Sequence, residues 1–169
     1  TILFVGSVRC VIRDRNYVSV EKIWADFIEN QPQFQQKGIP ESFYFCDNQK
    51  DANDCADLVL EGTKKATASS LKWFKCNNIE FSKPGDLFIV TNWDGVAKAV
   101  IQIEKIECIP YNKITPEFAQ IEGEGDKSLA YWKKVHKAYY CREQNIPEIE
   151  FDENMMIVCE YFKCIYPKK

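Results

Sequence analysis

The apolar positions change period along the chain. In "VEKIWADFIENQP", residues 20–32, Ile23, Trp24, Phe27 and Ile28 recur at helical spacing and Pro32 closes the run, which predicts an amphipathic helix. The polar stretch "KGIPESFYFCDNQ" reads as a loop. A second helix is expected over "DANDCADLVLEG", residues 51–62, with Asp51 or Asn53 as its cap and Gly62 at its end. From Lys83 to Tyr111 the rhythm shortens to that of strands: "KPGD" marks a turn, and the Asp94-Gly95 pair between two apolar runs marks a hairpin. Helical spacing returns at Thr115, a cap followed by Pro116, and breaks at Gly123 and Gly125. A longer helix from Ser128 to Gln144 carries Leu129, Trp132, Val135, His136, Tyr139 and Tyr140 on one face. "NMMIVCEYFKCIYP" predicts a last strand, ended by Pro167. At the other end, "LFVGSVRCVI" and "RNYVSV", separated by charged residues, read as two short strands or an arm.

This order, helices then a hairpin-rich sheet then helices then a strand, is α+β. A small, mostly antiparallel β-barrel flanked by helices is the expected architecture. At 169 residues the chain suits one core, so we expect a single domain over 21–166 with residues 1–20 as an N-terminal arm. A hydrophobic share of 46% places it among globular proteins. The net charge of −3 argues against a protein that holds long nucleic acid through a broad basic surface, and DNA is not expected as a partner. The single histidine excludes a multi-His metal site, and neither a metal nor a cofactor is expected. Eight cysteines, scattered and without a CxxC pair, read as free buried thiols rather than a disulfide framework. The apolar start is too short to cross a bilayer and lacks signal-peptide features, which points to a cytoplasmic protein and no membrane partner.

Candidate chemistry centres on "LVLEGTKKATASS", residues 58–70. A separation of three would place Lys64 and Thr67 on one side of a helical turn, and a lysine can deprotonate a threonine hydroxyl if its own pKa is lowered. The competing reading is a solvated helix end, where lysines meet the negative end of the dipole, and spacing alone favours it. "IEGEGD" offers Glu122, Glu124 and Asp126 between glycines that would allow a carboxylate to be aimed into a cleft. His136, on an apolar helix face, reads as a satisfied structural histidine rather than a catalytic one. The aromatics Trp73, Phe74, Trp93, Trp132, Tyr139 and Tyr140 are numerous enough to include a base-stacking platform.

Taken together, "LVLEGTKKATAS", "KPGDLFIVTNWDG" and "FAQIEGEGDKSLAYWKKVHKAYY", followed by the strand ending "EYFKCIYP", resemble the ASCH domain superfamily in its longer bacterial-type form, from about Val20 to Tyr166. The resemblance implies a PUA-like fold related to RNA-binding modules. The superfamily includes amidohydrolases that deacetylate N4-acetylcytidine through a Gly-x-Lys-x-x-Thr stretch and a downstream glutamate. Carried over, that set is Gly62, Lys64, Thr67 and Glu122. Thr67 would be the nucleophile or would orient a water, Lys64 would activate it and stabilise the oxyanion, and Glu122 would fix the lysine or shuttle the proton. Gly62, Lys65, Ser69, Trp73, Glu124, Ser128 and Trp132 would surround the ligand, a modified nucleoside or single-stranded RNA. Two alternatives accompany the hydrolase. One is a binding module in which Lys64, Lys65, Lys72 and Lys75 meet phosphates; the other is a ribonuclease using Lys64 with Ser128 or a tyrosine.

Overall fold

The computed structural model describes residues 10–11 and 17–168. Strands β1 (Cys10–Val11), β2 (Ser42–Tyr44), β3 (Ala66–Ser70), β4 (Leu87–Thr91), β5 (Ala97–Pro110) and β6 (Met156–Tyr166) form a six-stranded sheet in the order β1-β2-β4-β5-β6-β3. The helices are α1 (Tyr17–Asn30), α2 (Gln49–Leu60), α3 (Leu71–Asn77), α4 (Pro116–Glu122) and α5 (Leu129–Gln144). The sheet is antiparallel except between β2 and β4. It remains open: β1 and β3 are its two edges, so the expected mostly antiparallel sheet with flanking helices is present without closing into a barrel.

The Asp94-Gly95 hairpin forms as its sequence requires. Gly95 takes φ 80, its N–H donates to the Asn92 carbonyl, and Thr91 pairs with Ala97 across the turn. β5 and β6 are the long central pair, with breaks in register at Val100/Ile101 and Ile103/Lys105. Thr115 caps α4 and Ser128 caps α5 through their side-chain oxygens, and Gly123 ends α4 in the left-handed region.

Several boundaries differ from expectation. α2 starts earlier, capped by Asn48, whose side chain accepts from the Asp51 N–H. The run Ser42–Tyr44, read as loop, is a strand beside β4, with Phe43 buried. Of the two N-terminal strands, Cys10–Val11 is one; Tyr17–Val20 instead opens α1, and the rest of those segments lies outside the described residues. The largest correction concerns residues 66–71. "ATASS" is strand β3, all five residues buried, followed directly by α3. The helical turn that was to join Lys64 to Thr67 does not exist, because the chain is extended from Ala66 onward.

Three apolar clusters hold the layers together. Phe74, Phe118, Trp132 and Tyr140 from helices α3–α5 pack with Ala66 and Ala68 of β3 and Ile157 and Cys159 of β6. Cys55, Ala56 and Val59 of α2 pack with Phe43, Val90, Ile101 and Phe162, and Val20, Trp24 and Phe27 of α1 pack with Leu87, Ile89 and Val100. The segment between α2 and β3 carries Lys64 and is tied by backbone hydrogen bonds to Leu58 of α2 and Ile121 of α4.

Candidate functional site

The end of α2 builds the site. Gly62 takes φ 72 after the helix, and the N–H groups of Thr63 and Lys64 both donate to the Leu58 carbonyl. The next N–H, of Lys65, donates to the Ile121 carbonyl near the end of α4. The same helix end comes so close that a β-carbon at Gly123 would lie 2.5 Å from the Thr63 oxygen, and Gly123 has φ +81. Only glycine allows this approach. Its effect is to bring Glu122 and Glu124 onto Lys64.

Lys64 is 1% exposed and Glu122 is fully buried. The Lys64 Nζ lies 3.4 Å from Glu122 Oε1 and donates a short hydrogen bond to Glu124 Oε1. Phe45 presents its ring to the same ammonium at 5.0 Å. Glu122 is held further by the Trp132 indole N–H, which donates to its Oε2, and by His136 Nε2 at 3.5 Å from its Oε1. His136 stacks on Trp132 with ring centres 4.0 Å apart, and its Nδ1 lies 3.0 Å from the Trp132 carbonyl.

The electrostatics follow from burial against charge. Burial alone would lower Lys64, but Glu124 and Glu122 outweigh it and hold the amine well above its ordinary value. Burial would raise Glu122, yet Lys64 and then His136 bring it down to about 2. Burial would lower His136, and Glu122 raises it above the ordinary imidazole value. The two carboxylates therefore favour the ammonium form of Lys64, a positive charge rather than the lowered amine that a base for Thr67 would require.

Glu124, whose side chain is 18% exposed, is where the cluster meets a cavity of about 270 Å³. Its walls include Glu124, His136, Tyr131, Tyr139, Cys46 and Cys55. Two cations at the cavity are already matched: Arg142 with Asp47 at 3.2 Å and Lys50 with Asp54 at 2.6 Å. Among the described residues, no group of three or more His, Cys, Asp or Glu side chains could hold a metal ion.

The residues expected at the site separate into those it gathers and those it does not. Lys64, Glu122, Glu124 and Trp132 meet directly. Thr67 is 4% exposed on β3, opposite the equally buried Glu160 of β6, and Ser69 is 3% exposed two residues on; neither lines the cavity. Lys65 is exposed, and its backbone rather than its side chain ties the loop to Ile121 and Phe162. Trp73 is in the core against Phe74, and Trp132 is 2% exposed, so neither offers a free stacking face. Ser128 is committed to capping α5, accepting from the Tyr131 N–H. His136, read from sequence as a satisfied structural histidine, is buried with its Nδ1 at the Trp132 carbonyl, and its Nε2 also reaches Glu122 at the cavity wall. Its position four residues after Trp132 on the apolar face was the available signal.

The sequence of residues 41–166 matches the family described as the ASCH domain. The chain belongs to the ASCH domain family. The crystal structure of an ASCH domain from Lactobacillus crispatus JV V101 superposes with a TM-score of 0.79 at 32% identity, covering 93% of this chain and 99% of that one. The crystal structure of a protein from Enterococcus faecalis V583 gives 0.77 at 29% identity, with 88% and 89% covered. No curated protein matches. The ASCH domain is a PUA-like fold associated with RNA binding. No helix among the described residues is long and apolar enough to cross a membrane.

Proposed function

We propose that this ASCH domain hydrolyses a small acyl amide on a nucleobase, as in N4-acetylcytidine, at the cavity that Glu124 lines. The observation that carries the reading is a wholly buried ammonium clamped by two carboxylates, one of which opens onto a pocket. Such a cluster is weak as a device for stability, since desolvating the ions costs several kcal/mol each by order of magnitude (~). Clefts with strongly perturbed charged groups are where binding and catalysis concentrate. The 270 Å³ cavity is below the roughly 300–1,000 Å³ of sites for drug-sized ligands, which suits one base with its acyl group better than a length of RNA. The matched pairs Arg142–Asp47 and Lys50–Asp54 likewise leave those cations engaged before any phosphate arrives.

In this reading, substrate turns Glu124 from Lys64 toward a water. Glu124 takes a proton as the water oxygen bonds to the acyl carbon, while the Lys64 ammonium donates to the carbonyl oxygen as it becomes an oxyanion. The carbon–nitrogen bond then breaks, the proton on Glu124 passes to the departing base amine, and a carboxylic acid and the unacylated base leave. Glu122, itself held by Trp132 and His136, keeps Lys64 charged and fixed. The Thr67 hydroxyl, on the adjoining strand, is the alternative attacking group.

A recognition-only module is the second reading, favoured by the neutralisation of Lys64 by Glu122 and Glu124 in the free protein. Acetate release from N4-acetylcytidine, alongside calorimetric binding of cytidine and of a short single-stranded RNA, separates the two. Release of acetate supports the hydrolase; binding without release supports recognition. RNA cleavage would favour the ribonuclease alternative over both.

A further inference from the structure

Cys46 follows β2 and Cys55 lies in α2, and their sulfurs are 3.7 Å apart. Both line the cavity, Cys46 half-buried and Cys55 buried. Cys46 also has φ 64, a left-handed backbone rarely adopted by a residue with a side chain and one that clusters at functional positions. The Cys55 Sγ donates a 3.5 Å hydrogen bond to Glu124 Oε1, the carboxylate that also holds Lys64.

We propose that Cys46 and Cys55 are an oxidative modification site that closes to a reversible disulfide in the cavity wall and alters the environment of Glu124. A disulfide needs sulfurs about 2.05 Å apart, so the pair must close by about 1.7 Å through side-chain rotation, Cys46 turning in the loop before α2 and Cys55 in mid-helix. The oxidant is a peroxide small enough to enter the cavity. The more exposed Cys46 attacks as its thiolate: its sulfur bonds to one peroxide oxygen, the oxygen–oxygen bond breaks, and the other oxygen leaves as water after protonation. Cys55 then attacks the resulting sulfenic sulfur, the second oxygen leaves as water, and two thiols have given two electrons to one peroxide. The Cys46 hydrogen bond, burial and the Glu124 charge all push the Cys55 thiol up, which fits a resolving rather than an attacking role.

The bond removes the thiol hydrogen that Glu124 accepts. By reciprocity, Glu124 also governs how readily the bond forms, because its charge opposes loss of that proton.

The test is a peptide map. The intact protein is exposed to hydrogen peroxide, its remaining thiols are alkylated, and it is digested without reductant. The expected product is a peptide pair joined through Cys46 and Cys55, lighter by two hydrogens, absent from Cys46→Ser and lost on treatment with dithiothreitol. In Glu124→Gln, with fold verified by circular dichroism, the bond forms several-fold faster. Recovery of alkylated Cys46 and Cys55 while exposed Cys76 and Cys108 oxidise overturns the site. A linked pair whose rate is unchanged in Glu124→Gln overturns the coupling to Glu124. Neither result depends on the hydrolase reading, since the map needs no substrate.

Discussion

Replacing Lys64 by Met keeps most of the apolar stem and removes the ammonium, which makes it the sharpest probe of the buried cluster. Lys64 meets Glu122 at 3.4 Å and Glu124 by a short hydrogen bond, and its side chain has no exposure. Without it, Glu122 is a fully buried carboxylate that has lost its lysine, with the Trp132 indole and His136 still beside it. Removing one member of a buried ion pair costs about 3–5 kcal/mol, a large share of the roughly 5–15 kcal/mol that holds a domain folded. In a chain of this size each kcal/mol lowers Tm by about 2–4 °C, so the expected fall is about 6–20 °C. Urea denaturation read by fluorescence measures the loss directly, and adding Glu122→Gln should restore part of it.

The pH dependence should change sign as well. In the wild type, Glu122 is depressed to about 2, so its contribution is complete above the ordinary carboxylate range near 4.5 and is lost as pH falls toward 2. In Lys64→Met the buried carboxylate, without its lysine, is penalised when charged, and the variant should gain stability relative to wild type as the solution is acidified. A variant within about 0.5 kcal/mol of wild type, with an unchanged acid limb, would refute the buried-cluster reasoning.

Two further outcomes follow from the same geometry. The single histidine should titrate above about 6.5 by proton NMR, because Glu122 outweighs its burial; its contribution to stability is complete below about 6.5 and declines as pH rises through the elevated value. In Glu122→Gln the same resonance should titrate lower, and an unchanged value would dissociate His136 from Glu122. Gly123→Ala should lower the urea midpoint markedly, since its β-carbon would meet the Thr63 carbonyl at 2.5 Å and the backbone is at φ +81; Gly62→Ala, at φ +72 with open space around it, should cost only the conformational penalty of about 1–2 kcal/mol.

Much of this was legible in the chain, for identifiable reasons. Helices α1, α2, α4 and α5 announce themselves by apolar spacing and caps, and the Asp94-Gly95 hairpin by a turn that few other residues can make. β3 was hidden because "ATASS" has no apolar alternation; its five small residues are buried on both faces between β6 and the helices, a tertiary outcome that local propensity does not encode. That omission explains why a helical turn seemed to join Lys64 and Thr67. The partnership of Lys64 with Glu122 spans 58 residues and depends on the contact between Gly123 and Thr63, so only the ordered resemblance across the chain pointed to it. His136 reaches the same carboxylate from a helix face that looked apolar, because Trp132 and His136 stack as one unit against Glu122.

The most direct measurement of the central claim is kcat/KM for acetate release from N4-acetylcytidine by wild type, Glu124→Gln and Thr67→Val. With Glu124 as the base at the cavity, Glu124→Gln should lose about 10²–10⁴-fold and Thr67→Val should keep most of the activity. Full activity in Glu124→Gln with none in Thr67→Val would contradict the account and move the attacking group to the threonine of β3.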